Sequence, residues 1–285
     1  MGRRFKSYWA HHTSQTSRID PPACYLHHLP ADTMTAVITR RTGQFLLFTL
    51  AITWILWWIL ALLTAFGLSF SSPVGMMLFI LGGSGPTAAA YLAVLKTPES
   101  GSVRQFNRRV LKARVSWRYY LFAAAAPPAA GTAALLITGS SADQLSPHLF
   151  VPLLLSSVLL GGLEEFGWRG VLQEEMQRFI APGVLSLIIG CIWALWHLPL
   201  FFISGTSHAG SSFALFTLSA VGYSGMLTWL YRRTGSILLC VLFHASINAA
   251  GGSGASVSLG SSGQLIHGLI LLAVGLPLAV RASSP

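Results

Sequence analysis

The chain is predicted to be an all-α, polytopic integral membrane protein of about eight transmembrane helices with both termini cytoplasmic. Its 285 residues are 53% hydrophobic and only 9% charged, with a mean hydropathy of +0.62. A solvated globular surface does not sustain that balance. Apolar runs of bilayer-spanning length recur along the chain, and Lys and Arg fall in alternate connections between them, as the orientation rule for membrane helices requires.

Residues 1–43 read as a polar, disordered N-terminal tail that contains His11, His12, His27 and His28 and no hydrophobic region of signal-peptide type. Its start, MGRRFKS, misses the myristoylation pattern because Lys6 stands where Ser or Thr is wanted. Met34 is an alternative start, which would make the tail an artefact. Residues 44–285 form the membrane domain.

The spans are expected at about 45–67, 74–95, 119–138, 148–170, 183–203, 212–231, 236–251 and 264–280, the seventh being the shortest. Arg40 and Arg41 precede the first span, and seven basic residues from Lys96 to Arg118 separate the second from the third. Arg178 follows the fourth, Arg232 and Arg233 divide the sixth from the seventh, and Arg281 follows the eighth. The other four connections carry no Lys or Arg. Losing or adding one span would destroy this alternation. The formal charge of +10 is therefore accounted for by topology, and nucleic acid is not expected as a partner.

Between the second and third spans, GSVRQFNRRVLKARVSWR sets Val103, Phe106, Val110, Ala113 and Trp117 at helical spacing against Arg104, Arg108 and Lys112. That pattern suits an amphipathic helix on the cytoplasmic leaflet. The segments 139–148 and 251–263 read as flexible connections. Cys24, Cys191 and Cys240 form no CxxC pattern, and the latter two are read as small buried apolar residues.

Costly polar residues cluster on three spans. The fourth carries Glu164, Glu165 and Arg169, the fifth His197 and the seventh His244 and Asn248. A carboxylate in hydrocarbon costs about 2.5–3.5 kcal/mol on insertion scales, so such a group is expected to face a protein interior or a watery cavity. Glu165 and Arg169 stand at i and i+4 and can pair, while Glu164 points about 100° away and is left over. Trp193 and His197, and His244 and Asn248, repeat the i, i+4 spacing. At 1.5 Å per residue, Glu164 and His244 lie roughly 10 Å from the cytoplasmic ends and His197 nearer 20 Å, compatible with one cavity. Two His, an Asn and a spare Glu form a set able to activate water and stabilise an oxyanion.

EEFGWR, WALWH and HASIN resemble the EExxxR, (F/W)xxxH and HxxxN motifs of the CPBP family, the CAAX-protease and bacteriocin-processing (Abi-type) intramembrane proteases. The resemblance covers roughly residues 148–250, and the wording EExGWRG is typical of bacterial members. It implies hydrolysis of a peptide bond in a membrane-associated or lipidated peptide or protein, within a plasma-membrane cavity opening to the cytoplasm. By that analogy Glu164 is the general base, His197 binds and orients the water or a metal, and His244 and Asn248 support the oxyanion. Glu165 and Arg169, with Trp193, support the site. The family is described both as metal-dependent and as glutamate-dependent, so a zinc cofactor held by Glu164, His197 and His244 stays open. Two His and a Glu suffice for zinc with an open position, although HExxH is missing.

Rival readings have weaker support. GxSG, the motif of a rhomboid-like serine protease, occurs at Gly82–Gly85, Gly251–Gly254 and Gly260–Gly263, where close packing or loop chemistry explains it better. A proton-coupled transporter would need an inverted repeat that the chain does not show. Bis-His haem ligation would rest on His197 and His244 alone. A non-enzymatic bacteriocin-immunity or scaffold role would use the same polar set for binding only.

Overall fold

The structure is a computed structural model describing residues 31–139, 145–254 and 260–282, with backbone alone described at 31–39 and at 100. Among the described residues the main helical elements follow in order: α1 (Ala31–Ala65), α2 (Pro73–Lys96), α3 (Val103–Val110), α4 (Trp117–Thr138), α5 (Pro147–Met176), α6 (Pro182–Trp196), α7 (Phe213–Thr234), α8 (Ile237–Gly252) and α9 (Ser261–Arg281). Among the described residues, seven stretches are long and apolar enough to cross a membrane, and α8, at 16 residues, is the shorter eighth. The protein is a multi-pass, all-α membrane protein, and the expected count and order of spans match.

The ends that carry Lys and Arg meet one another. Arg41 pairs with Glu175 at the end of α5 at 3.0 Å, and Arg109 of α3 pairs with Glu174 at 3.1 Å. Arg232 and Arg233, closing α7, donate to the Ala282 and Arg281 carbonyls at the end of α9. At the opposite end, Ser146 donates its backbone N–H to Ser253, and Gly205 packs on Phe70. The charge alternation thus corresponds to two physical ends of the bundle.

Small residues set how closely the spans approach, as expected where lipid supplies no hydrophobic drive between helices. A Cβ on Gly222 would run into Leu271, and one on Gly225 into the Gly275 backbone, so α7 and α9 touch main chain to main chain. In α2 the GGSG stretch is a packing device: Gly82 lies against the Trp57 indole and Gly85 against Thr53, with Ser84 at the break between two helical halves. Trp57 donates to the Phe79 carbonyl and packs on Trp196, and Trp54 donates to the Trp196 carbonyl. The end of α6, where His197 begins, is thereby clasped by α1.

Several expectations need correction. The helix α1 starts at Ala31, so the expected domain boundary after residue 43 falls inside it; residues 1–30, with Cys24, lie outside the described residues. The amphipathic helix ends at Val110, leaving Ala113 outside it and Trp117 as the first residue of α4. Its start is set by a capping box in which Ser102 and Gln105 satisfy each other's backbone N–H. Cys240 is buried as expected, but Cys191 is exposed on α6. Of the expected flexible connections, 140–144 and 255–259 lie outside the described residues.

The largest correction concerns the fourth span, which is not one regular helix. An α-helix from Phe150 to Leu159 stops at Leu160, and Gly161 leads into a 3₁₀ turn over Gly162–Glu164. A short α-helix, Glu165–Gly167, then gives way to a π-helical turn over Trp168–Gln173, before Glu174–Met176 closes the element. The break is tolerated because its backbone groups find partners: Thr87 of α2 donates to the Leu163 carbonyl at 2.8 Å, and Glu164 N–H donates to the Gly161 carbonyl. Non-α turns of this kind concentrate at functional sites.

Candidate active site

The break and the π turn bring the polar residues of α5 against α6, α7 and α8. Glu165 is 1% exposed and divides its two oxygens between neighbours: Oε2 accepts from Arg169 Nε at 2.9 Å, and Oε1 lies 2.9 Å from His244 Nδ1. The expected i, i+4 pair is present, and it also orients a histidine. Arg169, equally buried, donates to Gln173 Oε1 at 3.2 Å and to Ser224 Oγ at 3.5 Å, and Gln173 donates in turn to the Thr228 carbonyl. Buried charges need this complete satisfaction.

Glu164, outside the Glu165–Arg169 pair, has its own cradle. Its Oε2 accepts from the Trp193 indole at 3.1 Å and, more weakly, from the Trp168 indole at 3.4 Å. The same oxygen faces His244 Nε2 across 3.9 Å, too far for a direct hydrogen bond. Since His244 gives Nδ1 to Glu165, Nε2 is the nitrogen turned toward Glu164.

Asn248, one turn along α8, is half-buried and makes no side-chain hydrogen bond among the described residues. Its amide nitrogen lies where a Cβ on Gly161 would be, and that Cβ would also come within 3.6 Å of His244 Nε2. Glycine at 161 therefore lets the Asn248 amide lie against the α5 backbone beside His244.

His197 joins this group through Trp193. It ends α6, with Nδ1 2.8 Å from the Trp193 carbonyl, and its ring lies edge-on to Trp193 at 5.4 Å. Trp193 is the bridge, since its ring also packs edge-on to His244 at 5.1 Å. On its other side His197 is enclosed by Trp196, Phe216 and His208, the last stacked on it at 5.9 Å. His208 lies in the connection between α6 and α7, where burial pushes it down to about 4 from the usual histidine value.

Polarity, spacing and motif resemblance in the sequence point to Glu164, Glu165, Arg169, Trp193, His197, His244 and Asn248, and not to Trp168, Gln173, Ser224, Gly161 or His208. Trp168 is four residues after Glu164, and Gln173 four after Arg169, so the rule that paired Glu165 with Arg169 reaches both. Ser224 and His208 carry no comparable local signal.

The candidate zinc ligands do not form a ligand set: among the described residues no three His, Cys, Asp or Glu side chains gather as a metal site. His197 packs on Trp193, which packs in turn on His244, and Glu164 Oε2 is already held by two indoles.

Two comparisons bear on this arrangement. Residues 146–250 match the family described as "Type II CAAX prenyl endopeptidase Rce1-like". That stretch contains every motif residue named above. This likeness supports the resemblance to CPBP-type intramembrane proteases. A relative, "CAAX prenyl protease 2" of Methanococcus maripaludis, is 26% identical over 225 residues, covering 72% of this chain and 81% of that protein. The matched stretch runs from the start of α5 into the last turn of α8, while α1, α2 and α9 pack on it from outside.

Proposed function

We propose that the protein hydrolyses a peptide bond of a membrane-associated or lipidated peptide, using Glu164 as the base that activates water. The supporting observation is the facing of Glu164 Oε2 and His244 Nε2 across 3.9 Å beside Asn248 and Gly161. That separation is too long for a direct hydrogen bond and leaves both atoms within reach of one water beside them.

In this reading Glu164 removes a proton from water, and the hydroxide adds to the scissile carbonyl. The oxyanion that develops is met by the Asn248 amide and by His244, whose ring Glu165 and Arg169 hold in one orientation. Glu164 then returns its proton to the departing amide nitrogen as the carbon–nitrogen bond breaks, so each proton is accounted for. The indoles of Trp168 and Trp193 position Glu164 and exclude bulk water. His197 orients the water from the side of Trp193, its Nδ1 fixed on a backbone carbonyl so that Nε2 is the free nitrogen.

The membrane is assigned as the plasma membrane, with the basic end of the bundle and the opening of the site cytoplasmic; the asymmetry of Lys and Arg supports that orientation. The reading is tested by incubating purified protein with candidate lipidated or membrane peptides and comparing wild type with Glu164→Gln and His244→Ala. Cleavage that survives unchanged in Glu164→Gln refutes the mechanism.

A further inference from the structure

The basic end of the bundle carries charge that neither the fold nor the site uses. Arg104, Arg108, Lys112, Arg114 and Arg118 are exposed, and none of their side chains has an ion pair or hydrogen bond among the described residues. No acid occurs in the sequence between Glu99 and Asp143. At the same end of the bundle Glu174 is engaged by Arg109 and Glu175 by Arg41 and Arg178, which leaves Glu99, exposed before α3, against five exposed cations.

Two large apolar side chains stand among these cations, Leu111 at 73% exposed and Trp117 at 67%. The inner face of α3 is satisfied separately. Phe106 and Val110 are buried, and the Phe106 ring packs on Tyr91 and Phe166 and closes over Gly170, the neighbour of Arg169. Arg109 also turns inward, donating to Tyr231 at 3.2 Å; burial opposes its charge, but Tyr231 and Glu174 outweigh burial and raise it above the usual value. The outward face of 103–118 is thus free, basic and studded with two apolar anchors at the point where α4 enters the bilayer.

We propose that residues 103–118 form a binding surface for the headgroups of anionic phospholipids. A soluble acidic partner would satisfy the cations but leave Leu111 and Trp117 in water. A leaflet takes both, with phosphates against the basic side chains and the headgroup–acyl boundary against the Leu and Trp. Because α3 touches α5 through Phe106 and Arg109, lipid bound outside braces the catalytic span inside.

The test needs no substrate and so stands apart from the proteolytic reading. Protein purified in neutral detergent is titrated with phosphatidylglycerol or phosphatidylcholine in mixed micelles, and thermal stability and retained lipid are measured. Phosphatidylglycerol is expected to raise the melting temperature by several degrees and phosphatidylcholine not to. The gain should shrink in 1 M salt, where screening falls to about 3 Å. The variant R104Q/R108Q/K112Q/R114Q loses the gain while melting normally in neutral detergent, whereas Arg40→Gln with Arg281→Gln keeps it. L111Q/W117Q weakens retention of the lipid. An equal response to phosphatidylcholine, an unchanged response in the quadruple variant, or an equal gain from inorganic phosphate or soluble polyglutamate overturns the proposal.

Discussion

His244 and Glu165 meet across 2.9 Å although 79 residues separate them in the chain. The contact ties α8 to α5 at the one position where Glu165 also holds Arg169. It fixes which ring nitrogen of His244 is spent on structure and which faces Glu164.

Replacing Glu164 by Gln keeps an acceptor for the Trp193 indole and removes the base. Cleavage of a membrane peptide should fall by about 10²–10⁴-fold, the usual contribution of general-base catalysis. Thermal stability should change little. A variant that cleaves at the wild-type rate rules out the assigned role.

Glu165→Gln and Arg169→Met each strand a buried partner and should each cost about 3–5 kcal/mol. The double variant should cost clearly less than their sum. Unfolding of the two single variants and the double in matched micelles measures the coupling; strict additivity would show that no pair exists.

Gly161→Ala puts a methyl group where the Asn248 amide lies. The displacement should slow cleavage by up to about 10²-fold, the scale of a 1 Å misplacement. The expectation is a lower kcat with KM nearly unchanged. Normal turnover would mean that Asn248 does not act on the reacting atoms.

The His208 ring is held neutral against His197, Phe201 and Phe216, down at about 4 against a usual value near 6.5. Its folded value is lowered, so the unfolded chain binds the proton more tightly between those limits. Stability from this contact is present above pH 6.5 and is lost as pH falls toward 4. His197 is the titratable group that faces it. Between pH 7 and 5 wild type should lose more stability than His208→Phe, and equal losses would discount the effect.

Because no three-ligand set gathers at the site among the described residues, cleavage is expected to persist after chelation, with bound zinc well below one per chain by elemental analysis. Activity abolished by a chelator and restored by zinc would assign His197 a role that its placement beside Trp193 does not explain.

The legibility of this protein in its sequence differs from contact to contact. Glu165 with Arg169 follows from helical spacing, because four residues make one turn whatever surrounds them. Trp168 at Glu164 and Gln173 at Arg169 obey the same rule and were open to it. The break at Gly161 was not legible, since FVPLLLSSVLL is apolar enough for an uninterrupted helix. What interrupts it is Thr87 on α2 taking the Leu163 carbonyl and Asn248 on α8 occupying the side-chain space of residue 161. His208 reaches His197 by a loop path that no periodicity describes.

From sequence alone came the spans, their alternating basic ends and the short set of expensive polar residues. Each follows from a local cost: transferring a residue into hydrocarbon depends on that residue and its immediate neighbours. Tertiary structure alone decided which oxygen of which glutamate faces which nitrogen of His244, and that His197 reaches the pair through Trp193. Those outcomes depend on how broken helices pack side by side, where a 3₁₀ turn and a π turn rotate side chains away from regular spacing. Hydropathy and periodicity do not contain that rotation.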